Sequence, residues 1–185
     1  MTGTDTSTPA AECQVAWAAS RNGRPVVYLL VGLTGSGKTT YAAQLVAREG
    51  VVHLSVDEAL AARHGRYGID YPEPEHKVRE APIVAELTAR MVELVRAGRS
   101  VVFDHGLWLR SERDAYKRMI TEAGGCWRLL YFKAGREVLL TRLAQRNARA
   151  ATDGTALMIT PEALEDFYGR FEEPDGEGEQ ILLQR

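Results

Sequence analysis

The sequence predicts an α/β fold, an open parallel sheet of about five strands with helices on both faces. Short apolar runs rich in valine alternate along the chain with segments of helical periodicity, which is typical of parallel βαβ units. The first run, Val26–Val31, is continuously apolar, as expected for a strand buried on both faces. A glycine-rich turn follows it, and sheets of this type bind their ligands beyond the carboxyl ends of the strands.

The composition is that of a folded globular protein. Of the 185 residues, 45% are hydrophobic and 26% are charged, which excludes a disordered or collagen-like chain. Two cysteines, Cys13 and Cys126, are too few for a disulfide framework, and reduced thiols are favoured over a bridge between them. The length predicts a single domain over residues 21–185, after a flexible segment over residues 1–20 in which residues 11–19 are a candidate short helix.

The charge balance and the hydropathy pattern restrict the partners. The chain has 23 Lys and Arg against 25 Asp and Glu, a formal net charge of −2, whereas proteins that bind the nucleic-acid backbone usually carry a large positive excess. No apolar run approaches the ~20 residues of a membrane span, and the N-terminal residues lack the pattern of a signal peptide. We therefore expect a cytoplasmic protein with no membrane partner, and the oligomeric state stays open.

The first part of the chain contains two strand–helix units. The strand Val26–Val31 precedes a predicted helix over Lys38–Arg48, which Gly50 closes. Glycine after the last periodic residue is a common end of a helix. A second strand over Val51–Ser55 leads directly into a predicted helix over Asp57–Arg63.

A loop and a proline-interrupted helix come next. Two glycines and two prolines over residues 63–75 predict the loop. The segment Glu75–Ala81 favours a helix, but Pro82 should kink or restart it. The main predicted helix therefore runs over Pro82–Arg96. The third predicted strand is Ser100–Phe103.

The last part of the chain adds two strands and three helices. Ser111 is the expected N-cap of the first of these helices, with Asp114 three residues on in the capping-box position. The acidic run Phe171–Gln180 is expected to be a solvated loop. The predicted helices are 111–123, Glu137–Arg149 and Glu162–Phe171, the last begun by Thr160 and Pro161, and the predicted strands are Arg128–Phe132 and Ile181–Leu183.

The turn after the first strand carries a complete phosphate-binding motif. Residues 32–39, Gly-Leu-Thr-Gly-Ser-Gly-Lys-Thr, match G-x-x-x-x-G-K-[ST] between a predicted strand and a predicted helix, the context that this motif requires. Its backbone N–H groups converge on a phosphate, Lys38 reaches the β- and γ-phosphates, and the Thr39 hydroxyl binds Mg²⁺. The motif predicts a P-loop NTPase fold that binds nucleotide phosphates together with Mg²⁺. The predicted nucleotide-binding residues here are Gly32, Thr34, Gly35, Ser36, Gly37, Lys38, Thr39 and Thr40.

Two aspartates follow the second and third predicted strands. Asp57 stands where a carboxylate can accept the proton of an acceptor hydroxyl, or where it simply caps a helix. Asp104 takes the position of a Walker B carboxylate, which holds Mg²⁺ together with Thr39 or orients an acceptor; the alternative is a capped turn. Which aspartate is the base stays open, and His105 either contacts the acceptor or fills the turn.

A helix after the fourth strand presents three arginines on one face. Arg142, Arg146 and Arg149 are spaced at i, i+4 and i+7, while Leu139 and Leu143 form an apolar side. Guanidinium groups that face a triphosphate neutralise the charge that develops during phosphoryl transfer. Arg142 and Arg146 are therefore predicted to bind the nucleotide and to assist catalysis from a lid, and the alternative is a solvated basic face.

Missing motifs narrow the class of P-loop protein. The chain lacks the N/T-K-x-D motif with which GTPases read guanine. Asp104 is followed by His105 and not by the glutamate that is usual in energy-transducing ATPases. A small kinase fits better, because one short domain with loops can enclose an acceptor. The predicted catalytic residues are Lys38, Asp57, Asp104, Arg142 and Arg146.

Together these motifs resemble a group of small P-loop kinases of the AAA-domain or zeta-toxin-like type, which includes polynucleotide 5′-kinases and chloramphenicol phosphotransferase. The resemblance covers most of the chain. Its more specific matches are S-x-D at Asp57, V-x-F-D at Asp104, R-x-x-x-R-N-A at 142–148 and F-E-x-P at 171–174. The resemblance implies ATP, Mg²⁺ and transfer of the γ-phosphoryl group to a hydroxyl, with Asp57 as the base.

The sequence favours a small polar acceptor. Polynucleotide kinases of this group carry an arginine three residues after the base, where this chain has Leu60 and the nearest later arginine is Arg63. The segment 61–80 is neutral and contains histidine and tyrosine rings, which suits an antibiotic, nucleoside or sugar-like molecule. Trp108 either walls the same pocket or belongs to the core. The alternatives are a polynucleotide or RNA 5′-hydroxyl kinase, a zeta-like toxin kinase on a sugar nucleotide, and a non-catalytic nucleotide-binding module.

Overall fold

The computed structural model describes residues 23–65, 69–153 and 160–184. The expected flexible segment over residues 1–20, with its candidate helix and Cys13, lies outside these ranges. The described chain contains five strands and six helices. The strands are β1 (Val26–Val31), β2 (Val52–Ser55), β3 (Val101–Asp104), β4 (Cys126–Ala134) and β5 (Glu179–Gln184). The helices are α1 (Lys38–Glu49), α2 (Val56–His64), α3 (Glu73–Arg96), α4 (Arg110–Glu122), α5 (Arg136–Asp153) and α6 (Pro161–Arg170).

All five strands are parallel and form one sheet in the order β2-β3-β1-β4-β5, which confirms the predicted fold class. β3 lies between β2 and β1, because Leu54 of β2 pairs with Phe103 of β3, which in turn pairs with Leu29 of β1. The carboxyl ends of these three strands meet at one edge of the sheet. The turns that follow them are therefore brought together.

β1 lies at the centre of the sheet and is covered on both faces. On one face, Leu29 belongs to a buried cluster with Met91 of α3 and Ile120 of α4. On the other face, Leu30 packs in a second cluster with Leu45 of α1. Successive side chains of a strand point to opposite faces, so burial on both sides explains why β1 is a continuous apolar run.

The predicted restart of the helix at Pro82 is wrong, because α3 runs without a break over Glu73–Arg96. Proline removes one backbone N–H and crowds the carbonyl four residues earlier in the helix. That carbonyl belongs to Val78, which is 76% exposed and so lies where water can hydrogen-bond to it. Further along the helix, the buried side chains of Ile83 and Met91 fix α3 against the sheet.

The start of α4 also differs from the prediction. The helix begins at Arg110, so its N-cap is Leu109 and the predicted cap at Ser111 is wrong. Two carboxylates bind the first N–H groups instead. The Leu109 N–H donates to Glu112 at 3.2 Å, and the Arg110 N–H donates to Glu172 at 2.6 Å.

The acidic run over residues 171–180 is only in part the solvated loop that its composition predicts, because Glu172, Glu173 and Asp175 are exposed whereas Glu177 is not. Glu177 is buried, and its carboxylate pairs with the guanidinium of the fully buried Arg113 at 2.6 Å. Glu172 binds the first turn of α4. The partner of Glu177 lies 64 residues upstream, so the local run of charge gives no sign of the pair.

Candidate active site

The loop between β1 and α1 makes a tight turn. Gly32 and Gly37 have φ angles of 148° and 98°, a region that residues with a side chain disfavour. A Cβ at Gly32 would lie 2.9 Å from the carbonyl oxygen of Phe132 and 2.9 Å from Ser36 Oγ. The Ser36 N–H closes the turn by donating to the Leu33 carbonyl at 3.2 Å. The first glycine of the motif is thus required by the close approach of β4 to the loop.

Lys38 folds back over this loop. Its ammonium donates to the carbonyl oxygens of Gly32 at 2.7 Å and of Leu33 at 2.9 Å. Burial lowers the pKa of Lys38, while the charges of Asp104 and Asp57 act in the opposite direction. Both predicted carboxylates therefore lie within electrostatic range of the lysine, although the three residues come from distant parts of the sequence.

Asp104 ends β3 and is buried at the start of α1. Burial alone would raise the pKa of Asp104, but interactions with His53 and Thr39 and the charge of Lys38 outweigh it and lower the pKa. The carboxylate is thus held ionised beside the loop. A carboxylate next to a hydroxyl matches the few protein ligands that Mg²⁺ takes at phosphate sites, where phosphate oxygens and water complete its shell.

Three buried polar atoms at this point make no hydrogen bond within the described part of the chain. His53 Nε2 lies 3.5 Å from Asp104 Oδ2. Among the described residues, neither of these atoms nor Ser36 Oγ has a hydrogen-bond partner. Buried polar atoms of folded proteins almost always have one. Unpartnered donors and acceptors beside the loop therefore fit a site that binds Mg²⁺ and nucleotide phosphate.

Asp57 lies in the first turn of α2 but does not cap that helix. The cap is Ser55, whose hydroxyl accepts a hydrogen bond from the Glu58 N–H at 3.3 Å. The exposed carboxylate of Asp57 acts instead on the cations of the site, since its charge opposes the lowering of the pKa of both Lys38 and Arg146. The helix-cap alternative for Asp57 is therefore not what the structure contains.

The two predicted arginines of α5 lie at the loop. Arg142 Nη1 donates to the Gly35 carbonyl at 3.3 Å and to Gln184 Oε1 at 3.5 Å. Desolvation lowers the pKa of Arg146, while Asp57 opposes that shift. Arg142 thus contacts the phosphate loop directly, and Arg146 lies in the electrostatic field of Asp57.

Leucines fix α5 on the loop. Leu139 and Leu143 belong to one buried cluster with Leu33 of the loop. A Cβ at Gly35 would lie 3.4 Å from the Leu143 side chain, so helix and loop are in van der Waals contact. The predicted apolar side of the helix is therefore present and faces the loop. The side chain of Arg149, the third arginine of the predicted face, lies outside the described residues.

The two aromatic candidates after β3 pack against other rings. His105 lies edge-on to Phe103, with ring centroids 6.2 Å apart. The half-buried ring of Trp108 packs on Phe167 at 5.1 Å, and the guanidinium of Arg170 lies over it at 5.4 Å. Trp108 is thus bound to α6 on at least one side.

Sequence reasoning missed two residues at this site. His53 faces Asp104 only because β2 pairs with β3, so the strand order had to be known first. Gln184 ends β5, and its side chain meets Arg142 and lies close to the P-loop. The signal that could have found His53 is its alternation with Ser55 along a strand that ends at the site.

Neither a preformed metal cluster nor a membrane helix is found in the described ranges. Within residues 23–65, 69–153 and 160–184, no group of three or more His, Cys, Asp and Glu side chains could hold a metal ion. Sites that bind Mg²⁺ with a nucleotide do not need such a group. In the same ranges, no helix is both long enough and apolar enough to cross a bilayer.

Comparison with known proteins identifies the family. A family model described as an AAA domain matches residues 27–174, which include the loop, both aspartates and the arginines of α5. The chain belongs to the AAA domain family. The group indicated by the sequence motifs is thereby confirmed. No curated protein matches the chain at a significant level.

Several solved structures share the AAA-domain fold of this chain. A "putative kinase" of Chloroflexus aurantiacus matches with a TM-score of 0.68 and 20% identity, over 86% of this chain and 84% of that chain. A gluconokinase of Sinorhizobium meliloti matches with a TM-score of 0.56 and 20% identity, over 87% and 81% of the two chains. A chain of the Pnkp1/Rnl/Hen1 RNA repair complex matches with a TM-score of 0.64 and 24% identity, over 80% of this chain and 44% of that chain. At these identities the likenesses show the fold.

Proposed function

We propose that this protein is an ATP-dependent phosphotransferase that moves the γ-phosphoryl group of ATP to a hydroxyl of a small molecule. The observation that carries the proposal is the phosphate-binding loop itself, whose carbonyl oxygens bind Lys38 at 2.7 Å and Arg142 at 3.3 Å. The charges of Asp57 and Asp104 act on the same lysine. The two carboxylates differ in environment, because Asp104 is buried and Asp57 is exposed. Two carboxylates in different environments suit two tasks, to hold a cation and to accept a proton.

The nucleotide binds through the loop. Backbone N–H groups of residues 32–40 hold the phosphates, and Lys38 exchanges its carbonyl partners for phosphate oxygens. Thr39 and Asp104 would hold Mg²⁺, which when bound neutralises part of the phosphate charge. Because the reaction consumes ATP, we expect it to take place in the cytoplasm.

Asp57 acts as the general base. Its carboxylate is exposed, and Ser55 caps the helix in its place. Asp57 accepts the proton of the acceptor hydroxyl as that oxygen bonds to the γ-phosphorus, while the bond to the bridging oxygen breaks and ADP leaves. Arg146 and Arg142 stabilise the negative charge that develops, a role that can contribute roughly 10³–10⁵ in rate.

The surroundings of Asp57 suit a small acceptor without high charge. Burial raises the pKa of the nearby Tyr71, and the charge of Asp57 adds to that shift. Tyr71 stacks on His76, with ring centroids 6.1 Å apart, and Arg79 lies 4.9 Å from the Tyr71 ring. Arg79 is itself paired with Glu75 at 2.6 Å, and Glu80 lies 3.9 Å from His76, so the cluster carries no excess of positive charge. The lack of excess positive charge favours a polar acceptor without negative charge, such as a sugar, a nucleoside or an antibiotic.

A polynucleotide 5′-hydroxyl kinase is the second candidate. The likeness to a chain of the Pnkp1/Rnl/Hen1 RNA repair complex favours it. Against it stands Leu60, at the position where such kinases carry an arginine, because Leu60 is 3% exposed and packs in the core. The proposed acceptor site thus lacks that arginine.

A screen for phosphate transfer tests the proposal. Purified protein, Mg²⁺ and [γ-³²P]ATP are incubated with sugars, nucleosides, antibiotics, sugar nucleotides and a 5′-hydroxyl oligonucleotide. We expect label on a small molecule with the wild type and with Glu58→Gln, and its loss with Asp57→Asn. Label on the oligonucleotide, with a strong salt dependence, would support the second candidate. Label on a sugar nucleotide would indicate the toxin-type reaction, and tight ATP binding without any transfer would identify a nucleotide-binding module.

A further inference from the structure

A buried ion cluster lies beside the loop that follows Asp104. Arg113 of α4 is fully buried, and its guanidinium binds both carboxylate oxygens of Glu177, Nε to Oε2 at 2.9 Å and Nη2 to Oε1 at 2.6 Å. Lys117 Nζ donates to the same carboxylate at 3.0 Å. Burial alone would raise the pKa of Glu177, but hydrogen bonds from Arg113 and Lys117 outweigh it and lower the pKa. The carboxylate is therefore ionised inside the protein.

The remaining guanidinium nitrogen of Arg113 binds the backbone of the loop after Asp104. Nη1 donates to the carbonyl of Leu107 at 3.1 Å and to that of Trp108 at 3.0 Å. Leu107 has a φ of 44°, the one positive φ outside glycine among the described residues. A backbone in this conformation persists where its surroundings hold it. Arg113 supplies that support directly.

The segment after α6 holds the same loop from another side. The Glu172 N–H donates to the Trp108 carbonyl at 3.0 Å, and the Glu172 carboxylate accepts from the Arg110 N–H. A Cβ at Gly106 would lie 2.6 Å from Trp108 Nε1. The indole therefore folds back onto the residues that directly follow Asp104.

A buried ion pair contributes more to fixing the directions of hydrogen bonds than to the free energy of folding. Desolvation of the two charges cancels most of their attraction, so apolar side chains of similar size are often as stable. The planar guanidinium, in contrast, fixes several acceptors at once in defined directions. Arg113 binds two carboxylate oxygens and two backbone carbonyls in this way. The arrangement is suited to holding a loop in one conformation.

We propose that Arg113 is a positioning residue that, together with Glu177, fixes the loop over residues 105–109 so that Trp108 shapes the acceptor side of the site. The proposal rests on the phosphotransferase function proposed above. The acceptor must reach the γ-phosphate beside Asp104, and the residues directly after Asp104 flank that route. Displacement of the loop therefore impairs the reaction with the acceptor and leaves the nucleotide loop intact.

The test follows the ¹⁹F resonance of Trp108 in the full chain labelled with 5-fluorotryptophan. The chain has three tryptophans, and single Trp→Phe variants assign their resonances. Two variants remove the hydrogen bonds from the guanidinium to the loop. One is Arg113→Lys. The other is the double variant Arg113→Met with Glu177→Gln, in which both charges of the ion pair are removed together. In both, we expect the Trp108 resonance to move while Mg²⁺–AMPPNP affinity stays at the wild-type value. For the acceptor found in the screen, kcat/KM should fall about 10- to 100-fold, the effect of a slightly misplaced reactant.

Lys117→Met is the matched control. Lys117 shares the carboxylate of Glu177 but does not bind the loop, and its ammonium lies 5.2 Å from the centre of the Trp127 ring. In this variant the Trp127 resonance should move and the Trp108 resonance should not. A merely structural role of Arg113 would lower the melting temperature without this selective shift.

Two results would overturn the proposal. One is a Trp108 resonance that keeps its position in both Arg113 variants. The other is an equal loss of nucleotide affinity and of acceptor turnover, because that would indicate general damage to the site. If the wild type transfers phosphate to no acceptor, the proposed function and the acceptor role fail together. The Trp108 resonance then still supports or overturns the positioning of the loop.

Discussion

His53 and Asp104 face each other across the pairing of β2 with β3, with Nε2 and Oδ2 3.5 Å apart. The contact with Asp104 raises the pKa of His53, and burial opposes this shift. Burial alone would raise the pKa of Asp104, and the same contact helps to lower it. The pair therefore links an edge strand of the sheet to the proposed ligand of Mg²⁺, and it gains strength when His53 is protonated and Asp104 is ionised.

This pair predicts a pH-dependent stability of the nucleotide-free protein. The raised pKa of His53 adds stability below its unfolded value of about 6.5, which is lost as pH rises through the folded value. The lowered pKa of Asp104 adds stability above its unfolded value of about 3.9, which is lost at lower pH. Relative to the wild type, His53→Gln should thus lose about 1 kcal/mol of unfolding free energy at about pH 5.5, and much less at about pH 8.5.

Urea unfolding at the two pH values measures this difference. His105→Gln is the control, because His105 lies edge-on to the ring of Phe103 and takes part in none of the ion pairs found among the described residues. Its effect on the unfolding free energy should not change in the same way with pH. A deficit of His53→Gln that is equal at both pH values would show that the ion pair with Asp104 does not form.

Asp57→Asn should abolish most phosphate transfer without abolishing nucleotide binding. The amide keeps the shape of the side chain but cannot take the proton of the acceptor, so kcat should fall about 10²–10⁴-fold. Steady-state kinetics on the acceptor found in the screen measure the loss. Glu58→Gln is the neighbouring control, since Glu58 is 66% exposed. Equal rates for Asp57→Asn and the wild type would remove Asp57 from the role of base.

Arg146→Ala should lower kcat more than it lowers nucleotide affinity. The charges of Asp57 and Arg146 and of Arg146 and Lys38 act on each other, and under the proposed reaction negative charge develops beside Lys38, so the expected loss is about 10²–10³-fold. Arg136→Ala is the control on the same helix, because Arg136 pairs with Glu165 on α6. Single-turnover rates at saturating ATP separate the two effects. If both variants behave alike, the arginine face of α5 is a solvated surface.

Two glycine substitutions should act with opposite sign on stability. At Gly32 the added methyl group of alanine would lie 2.9 Å from the backbone oxygen of Phe132, so Gly32→Ala should cost about 1–3 kcal/mol of unfolding free energy. Gly169 lies exposed in α6, and outside its own helix turn no atom of the described residues lies within 4 Å of an added Cβ, so Gly169→Ala should add about 0.5–1 kcal/mol. Urea unfolding decides both. A neutral Gly32→Ala would mean that β4 does not press on the loop.

The fold and much of the site could be predicted because their signals are local. Each predicted strand is present, since a run of apolar residues between turns is visible in the sequence itself. The phosphate loop is a single contiguous motif. Asp57 and Asp104 are candidates because ligands of parallel sheets lie beyond the carboxyl ends of strands. In the structure Asp104 is the last residue of β3, and Asp57 lies in the helix that directly follows β2.

The contacts between distant segments could not be predicted. Glu177 stands in a run of acidic residues, which predicts an exposed side chain. In the structure it is buried and paired with Arg113, which lies 64 residues earlier in the sequence. His53 meets Asp104 only in the observed strand order. The N-cap at Leu109 was missed for the same reason, since a carboxylate from beyond α6 binds the first turn of α4. Each of these features depends on a contact between segments that are distant in the sequence, and no local sequence pattern predicts such a contact.

Calorimetric titration with AMPPNP and Mg²⁺ tests the central claim most directly. The wild type should bind one nucleotide. Lys38→Ala should bind about 10- to 100-fold more weakly, because a charge-assisted hydrogen bond contributes roughly 1.5–3 kcal/mol. Lys77→Ala, which removes an exposed lysine of α3, should bind as the wild type does. A wild type that does not bind the nucleotide, or a Lys38→Ala variant that binds it as tightly, would contradict the account.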